Sequence, residues 1–389
     1  MSKKNAWVMK ALHELPLAMK AKAMKHFLQG NKKYMKKGIQ ADMDAIIKCA
    51  TCPNMCKFDC PVLEAEKNEA LSPAGKARIA YFLENGLLDS DYAREIMYAC
   101  SSCEACKEHC PFDFSVADIL RGVRRDMVME GKVPERVAEL KNELLEKHVI
   151  GERNFSGDGK GSVIYFAGCV VNNERKEIGE AMIKIFENVG ENYAIMEEEW
   201  CCGYPLYNMG FMEEFKKFAR RNARKFNESG AEKIVCSCPT CAHVFTNIYP
   251  EMGIRIKPEI VHSSSYILHL IREGKISLEE NKMSVVYHDP CTLARKLEVD
   301  DARNVIKSIP GIELREAMLH GKETRCCGNG GQMARIHESI SIKMAEKRKE
   351  DLKEIMADAV VSACPSCKTA LMEGKFYDLA ELVAESMIK

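Results

Sequence analysis

Residues 163–169 read Val-Ile-Tyr-Phe-Ala-Gly-Cys, and residues 285–291 read Val-Val-Tyr-His-Asp-Pro-Cys. Each is a short β-branched and aromatic run closing on a cysteine, as expected where a buried strand hands over to a loop. Downstream, Cys201-Cys202-Gly203 recurs as Cys326-Cys327-Gly328, and Cys238-Pro239-Thr240-Cys241 recurs as Cys364-Pro365-Ser366-Cys367. The offsets are 122, 125 and 126 residues, so the copies differ only by small insertions. Further strand-like runs at Ile234–Val235 and Ala359–Val361 alternate with longer amphipathic stretches. Two tandem α/β units follow, at residues 162–275 and 282–389.

Upstream the pattern is helical. Ser72-Pro73 reads as an N-cap followed by proline at the first helical position, Ala74–Leu83 supplies helix formers, and Gly86 is a stop. Helices continue to about Lys147, and Gly151, Gly157, Gly159 and Gly161 then mark a linker. The fold class is α+β multidomain, with a helical module at residues 41–150 ahead of the two α/β units. Residues 1–40 form a separate arm with ten lysines against one acid, Glu14, while the rest of the chain holds 47 basic and 56 acidic residues. Val8, Leu12, Leu15 and Met19 give the arm near-helical spacing. It suits docking on anionic lipid or an acidic partner protein, or packing as a solvated helix on its own domain.

Lysine plus arginine and aspartate plus glutamate both total 57 in 389 residues, which argues against nucleic acid as a partner. With no apolar signal core after Met-Ser-Lys-Lys and no long apolar span, the reading is a cytoplasmic protein. Nineteen cysteines in a reducing compartment are metal ligands or redox groups before they are disulfides, and an odd number cannot all pair.

Eighteen of the nineteen fall into four motifs. Cys100-x2-Cys103-x2-Cys106-x3-Cys110-Pro111 has the spacing of a bacterial [4Fe–4S] site, whose fourth cysteine serves the neighbouring cluster. Cys49-x2-Cys52-x3-Cys56-x3-Cys60-Pro61 departs from it by one residue, in a loop containing Pro53. The crossed rule groups Cys49, Cys52, Cys56 and Cys110 on one cubane cluster and Cys60, Cys100, Cys103 and Cys106 on another. Zinc is the rival, needing only four thiolates per tetrahedral set. Each α/β unit then supplies five cysteines: Cys169, Cys201, Cys202, Cys238 and Cys241 in the first, and Cys291, Cys326, Cys327, Cys364 and Cys367 in the second. Five exceed what a cubane needs. Gly203 and Gly328 would let the backbone approach an inorganic core. A thioredoxin-like reading of Cys-x-x-Cys leaves the other three cysteines of each unit without purpose.

This arrangement resembles two cysteine-rich CCG domains behind an α-helical ferredoxin module. From about residue 45 the chain is similar to the D-type subunits of heterodisulfide reductase, in a wider family that includes the iron–sulfur subunits of glycolate, lactate and anaerobic glycerol-3-phosphate dehydrogenases. The resemblance implies two noncubane [4Fe–4S] clusters, each on five cysteines, with substrate sulfurs between them and electrons fed inward from the two ferredoxin clusters. It implies an iron–sulfur oxidoreductase that reduces a disulfide of the CoM-S-S-CoB type, alone or within a complex. The donor would be a membrane b-type cytochrome, a ferredoxin or a flavoprotein, and such a partner could hold the chain on the cytoplasmic face of the membrane. The alternative is a non-catalytic electron relay beside a flavin-linked hydroxyacid or glycerol-3-phosphate dehydrogenase.

His288, just before Cys291, is a candidate proton donor to a departing thiolate or a hydrogen-bond partner of the cluster. His243 carries the same ambiguity, and His109 reads as a spacer. Cys236 aligns with Ser362 and reads as a small residue packed beside the cluster. Gly328-Asn329-Gly330-Gly331 lacks the lysine of a phosphate loop, and no dinucleotide fingerprint follows a strand, so no bound NAD or FAD is expected.

Overall fold

The computed structural model describes residues 13–21, 36 and 38–388. The lysine-rich arm lies mostly outside them. The chain divides into two compact units, residues 1–134 and 135–389.

The first unit is helical. Its main helices are α1 (Met43–Ala50), α2 (Pro73–Glu84) and α3 (Val116–Met129), joined by short helical turns. Each begins on a side-chain cap: Asp42 accepts from the backbone of Asp44 and Ala45, Ser72 from Gly75, and Ser115 from Asp118. The predicted Ser72-Pro73 start is therefore where α2 begins, and Gly86 takes a left-handed φ of 66° just beyond its end. Buried Asp126 on α3 accepts from the backbone N–H groups of Gln40 and Ala41, fixing the chain where it enters α1.

The second unit opens with α4 (Glu135–Lys147), a helix that the sequence pattern grouped with the helical module. Its amphipathic face packs within the second unit instead. Val137, Leu140 and Leu144 are buried, and Glu143 pairs with Arg335 at 2.5 Å. Gly131 and Pro134 separate α4 from α3 in the sequence, but they do not say which core α4 joins.

Two four-stranded parallel sheets follow, ordered β2-β1-β3-β4 and β6-β5-β7-β8. The strands are β1 (Val163–Phe166), β2 (Tyr193–Ile195), β3 (Lys233–Cys236), β4 (Glu259–His262), β5 (Met283–His288), β6 (Ile312–Glu316), β7 (Ala359–Ser362) and β8 (Phe376–Asp378). The identical order makes the two repeats topological copies. The central strands β1 and β5 are buried almost throughout because helices cover both faces of the sheet. Four helices join the copies: α5 (Lys176–Asn188), α6 (Ser263–Arg272), α7 (Asp301–Ser308) and α8 (Leu379–Ser386). The first long helix of each repeat packs on the last helix of the other, α5 on α8 and α7 on α6. One apolar core therefore runs through both repeats, from Met182, Ile185 and Ile267 to Val305, Ile306 and Val383. No helix among the described residues is long and apolar enough to cross a membrane.

Gly203 and Gly328 sit at φ of 85° and 96°. A Cβ on Gly328 would lie 2.5 Å from the backbone oxygen of Ser341, and one on Gly203 would lie 2.9 Å from the Phe215 ring. The glycines thus make room for a helix packed against the loop, a different reason from the approach to an inorganic core that the sequence suggested. Gly328→Ala is expected to cost about 1–3 kcal/mol through backbone strain, plus the clash. Gly374→Ala shares the left-handed φ but has nothing within 4 Å of the new Cβ. Urea midpoints should show the larger loss at residue 328, and equal losses would contradict this packing.

Candidate iron–sulfur sites

In the first unit the two cysteine runs interlock. Cys49, Cys52, Cys56 and Cys110 line one cavity of about 180 Å³, together with Cys106, Phe112 and Phe114. Cys60, Cys100, Cys103 and Cys106 line a second, tighter space of about 20 Å³ beside Lys76 and Glu104. The fourth cysteine of each run thus reaches the set formed by the other. The extra residue of the first run also has a local account. Asn54 takes a left-handed φ of 64° and is buried, and its amide donates to the Ser72 hydroxyl at 3.1 Å and accepts from the Ala74 N–H at 3.3 Å. The enlarged loop is thereby pinned to the start of α2. Burial, then the neighbouring sulfurs, pushes Cys49 and Cys56 up to about 12. Held this close, the sulfurs keep their protons until a bound cation displaces them.

In the second unit the cysteines gather at the carboxyl ends of the central strands, where open α/β sheets place their ligands. Cys169 and Cys291 follow β1 and β5. Cys238 and Cys364 follow β3 and β7 and immediately precede short helices begun by proline. In both repeats the left-handed glycine turns its N–H toward the first cysteine of the pair, Gly203 to Cys201 and Gly328 to Cys326, each at 3.5 Å. One cavity of about 550 Å³ is lined from both repeats, by Cys169, Cys201, Cys202, Cys238 and Cys241 on one side and by Cys291, Cys327, Cys364 and Cys367 on the other. Its wall also carries Glu174, Arg335 and Glu338. Cys326 is buried and does not line it. Neither does Cys236, fully buried in β3.

None of the nineteen cysteines forms a disulfide. Hydrogen bonding from Cys201 and Cys241 holds Cys202 down to about 6, and Cys326 and Cys367 hold Cys327 well below the usual thiol range. The second cysteine of the pair is therefore the depressed thiol in each repeat. Cys169, Cys241 and Cys367 are pushed well up, chiefly by hydrogen bonds with neighbouring sulfurs. Such sets fit an inorganic core with several cations. A single zinc ion takes four sulfurs at about 2.3 Å, fewer than each five-cysteine set supplies.

Of three buried polar groups around these sets, Glu199 and Arg348 escaped the sequence reading, and Asp289 reads from the sequence only as a neighbour of Cys291. Both carboxylate oxygens of Glu199, 3% exposed, accept from the backbone of Ala167 and Gly168 and fix the turn that presents Cys169. Burial, opposed by those two N–H groups, raises Glu199 to about 7. Asp289 forms a bidentate pair with Arg303 at 2.6 and 2.8 Å. Burial raises Asp289, but Arg303 outweighs it and the carboxyl stays below its usual range. Arg348 is 0% exposed and donates its Nε–H to His288 Nδ1 at 3.1 Å. The position of Glu199 and Asp289 within two residues of a motif cysteine was the available signal. Arg348 offered none. His288 is buried beside Cys327 and Cys367, with its other ring nitrogen making no hydrogen bond of full geometry, and it does not line the cavity. His243 bonds Asn247 at 3.2 Å, and His109 lines the first-unit cavity 3.5 Å from Asp59.

Comparison with known proteins agrees with this arrangement. The 4Fe-4S dicluster domain family matches residues 45–114, and the cysteine-rich domain family matches residues 163–246 and 285–372. The chain is an iron–sulfur oxidoreductase built from one dicluster domain and two cysteine-rich domains. It resembles the D-type subunits of heterodisulfide reductase. It is 26% identical over 390 residues to the D-type subunit of the dihydromethanophenazine:CoB–CoM heterodisulfide reductase of Methanosarcina barkeri, covering 89% of this chain and 94% of that one. It is 27% identical over 351 residues to the EtfAB:quinone oxidoreductase of Syntrophomonas wolfei, covering 78% of this chain but 48% of that relative. The crystal structure of a hypothetical protein from Helicobacter pylori shares the fold, with a TM-score of 0.58, 9% identity, and 95% of this chain and 76% of that one covered.

Cys201→Ser and Cys326→Ser are expected to alter the paramagnetic signals of the cysteine-rich domains while leaving those of the dicluster domain intact. Simultaneous loss of every signal would contradict two independent modules.

Proposed function

We propose that this protein reduces a small-molecule disulfide of the CoM-S-S-CoB type in the cavity between its cysteine-rich domains. The observation that carries the reading is that both five-cysteine sets contribute to one cavity of about 550 Å³. That volume suits a small ligand held between two redox sites. In the first unit, Cys49, Cys52, Cys56 and Cys110 would hold one cubane cluster, and Cys60, Cys100, Cys103 and Cys106 another. Noncubane clusters would be held by Cys169, Cys201, Cys202, Cys238 and Cys241, and by Cys291, Cys326, Cys327, Cys364 and Cys367. When bound, these groups supply single electrons. Two electrons and two protons convert the disulfide to two thiols, breaking the S–S bond and forming two S–H bonds.

The chain's own residues shape that reaction. The cysteines fix where the redox groups sit, and buried Val171 contributes an apolar part of the lining beside them. Arg335 at the wall would meet an acidic substituent of the substrate through the guanidinium that also pairs with Glu143. Electrons would arrive through the dicluster domain from a donor protein: a membrane cytochrome, a ferredoxin or a flavoprotein. The M. barkeri relative is named as one subunit of its enzyme, which supports such a partner, and the partner could also hold the chain at the membrane. The domain limits that go with this reading are residues 41–134 for the dicluster domain and 162–275 and 282–389 for the cysteine-rich domains, after the arm at 1–40.

The similarity to the EtfAB:quinone oxidoreductase supports a second reading, an electron relay without a disulfide substrate. Anaerobically purified protein with reduced viologen and the coenzyme M–coenzyme B disulfide separates the two. Sustained release of two thiols per disulfide is expected. Absence of turnover, with all clusters verified, would move the assignment to the relay.

A further inference from the structure

The two cysteine-rich domains share topology and ligands, yet their surroundings differ in charge. By the repeat offsets, His288 takes the place of Phe166, Thr324 that of Glu199, and Arg348 that of Asn222 or Ala223. The second site therefore gains a buried guanidinium and an imidazole where the first has a phenyl ring, an amide or methyl group, and a buried carboxyl.

Arg348 is an under-paired cation. Only its Nε–H makes a hydrogen bond, to His288, while Nη1 and Nη2 are buried without hydrogen-bond partners. The nearest carboxylate contact is Asp351 to Nη1 at 3.6 Å, and Asp351 is already bonded to Arg325 at 2.7 Å. Asp289 is committed to Arg303. A buried charge so poorly compensated is costly unless an anion lies close by. The bond from Arg348 also fixes the histidine tautomer. With Nδ1 accepting, the ring proton is on Nε2, so the free ring nitrogen is a donor. A ring nitrogen of His288 and the sulfurs of Cys327 and Cys367 all lie within 4.8 Å of one another. With its ring proton on Nε2 and the Cys327 sulfur close by, His288 is placed as an N–H donor toward that sulfur, in a contact that falls short of a full hydrogen bond.

We propose that the two cysteine-rich sites are redox-inequivalent, and that Arg348 is the positioning residue that makes the second the more easily reduced, by its own charge and by holding His288 as an N–H donor to Cys327. The inference rests on clusters being bound at both five-cysteine sets. A fixed cation and an N–H···S contact both favour the reduced form, which carries one more negative charge. In the first repeat Asn222 binds the Cys201 carbonyl at 2.9 Å and brings no charge.

The test is an anaerobic redox titration of the full, cluster-loaded chain followed by electron paramagnetic resonance, with Cys201→Ser and Cys326→Ser assigning signals to the first and second sites. In the unsubstituted protein the second-site midpoint should be the higher. Arg348→Gln should make reduction at that site about tenfold less favourable, about 59 mV for one electron, and leave the first-site and dicluster midpoints unmoved. Arg348→Lys, which keeps the charge but loses the planar fork, should recover part of the loss. Coincident or reversed midpoints in the unsubstituted protein would overturn the proposal, even if Arg348→Gln does not fold. So would an Arg348→Gln protein whose second-site midpoint stays put or moves together with the others. Iron confined to the dicluster domain would instead overturn the cluster reading itself, a separate outcome.

Discussion

Thiolates repel one another, and this fold crowds eighteen cysteines into four sets whose members share cavities or lie in hydrogen-bond contact. Nothing in ordinary packing rewards that arrangement. A core of the same shape built from alanine and valine would avoid the mutual repulsion. The cost shows in Cys49 and Cys56, pushed up to about 12 by burial and by other sulfurs. Multivalent inorganic cores turn the same crowding into stabilisation by replacing protons with iron. Capped helices, strand ends and left-handed glycines all converge on that single requirement. The pinned Asn54 loop and the Glu199-braced turn before Cys169 are instances in which backbone N–H groups or amide side chains set a cysteine's position.

Duplication supplies the second constraint. Each repeat alone would expose the helix that packs on its partner, because α5 needs α8 and α7 needs α6. The shared core therefore fixes the two cysteine sets relative to one another, and the cavity they line follows from it. Symmetry stops at the polar groups around the sulfurs. Glu199 braces the first site by accepting backbone hydrogen bonds, whereas Asp289, Arg303, His288 and Arg348 form a charged assembly at the second. Two sites with one topology and different electrostatics can divide a two-electron reduction into unequal single steps.

Much of this was legible in the sequence because cysteine spacing is dictated by bond lengths to a compact core. The repeat offsets gave two α/β units, and four predicted strands fall within β1, β3, β5 and β7. Strands β2, β4, β6 and β8 at the flanks were missed, since short runs such as Tyr193–Ile195 carry little periodicity. Helix α4 read as part of the helical module because its amphipathic pattern does not reveal which core it faces. Arg348 was illegible for a sharper reason. It sits in Glu346-Lys347-Arg348-Lys349-Glu350-Asp351, a run that reads as a solvated helix face, yet its side chain is fully buried. Burial of one charge among six depends on which way that helix turns, and only the packed structure supplies it.

The central claim is that these cysteines exist to hold iron rather than zinc or disulfides. Metal analysis of the anaerobically purified chain, with iron, zinc and acid-labile sulfide measured together, tests it most directly. Four four-iron sites predict roughly 16 irons per chain, matching sulfide and negligible zinc. A chain filled with zinc, with little iron and no labile sulfide, would contradict the account.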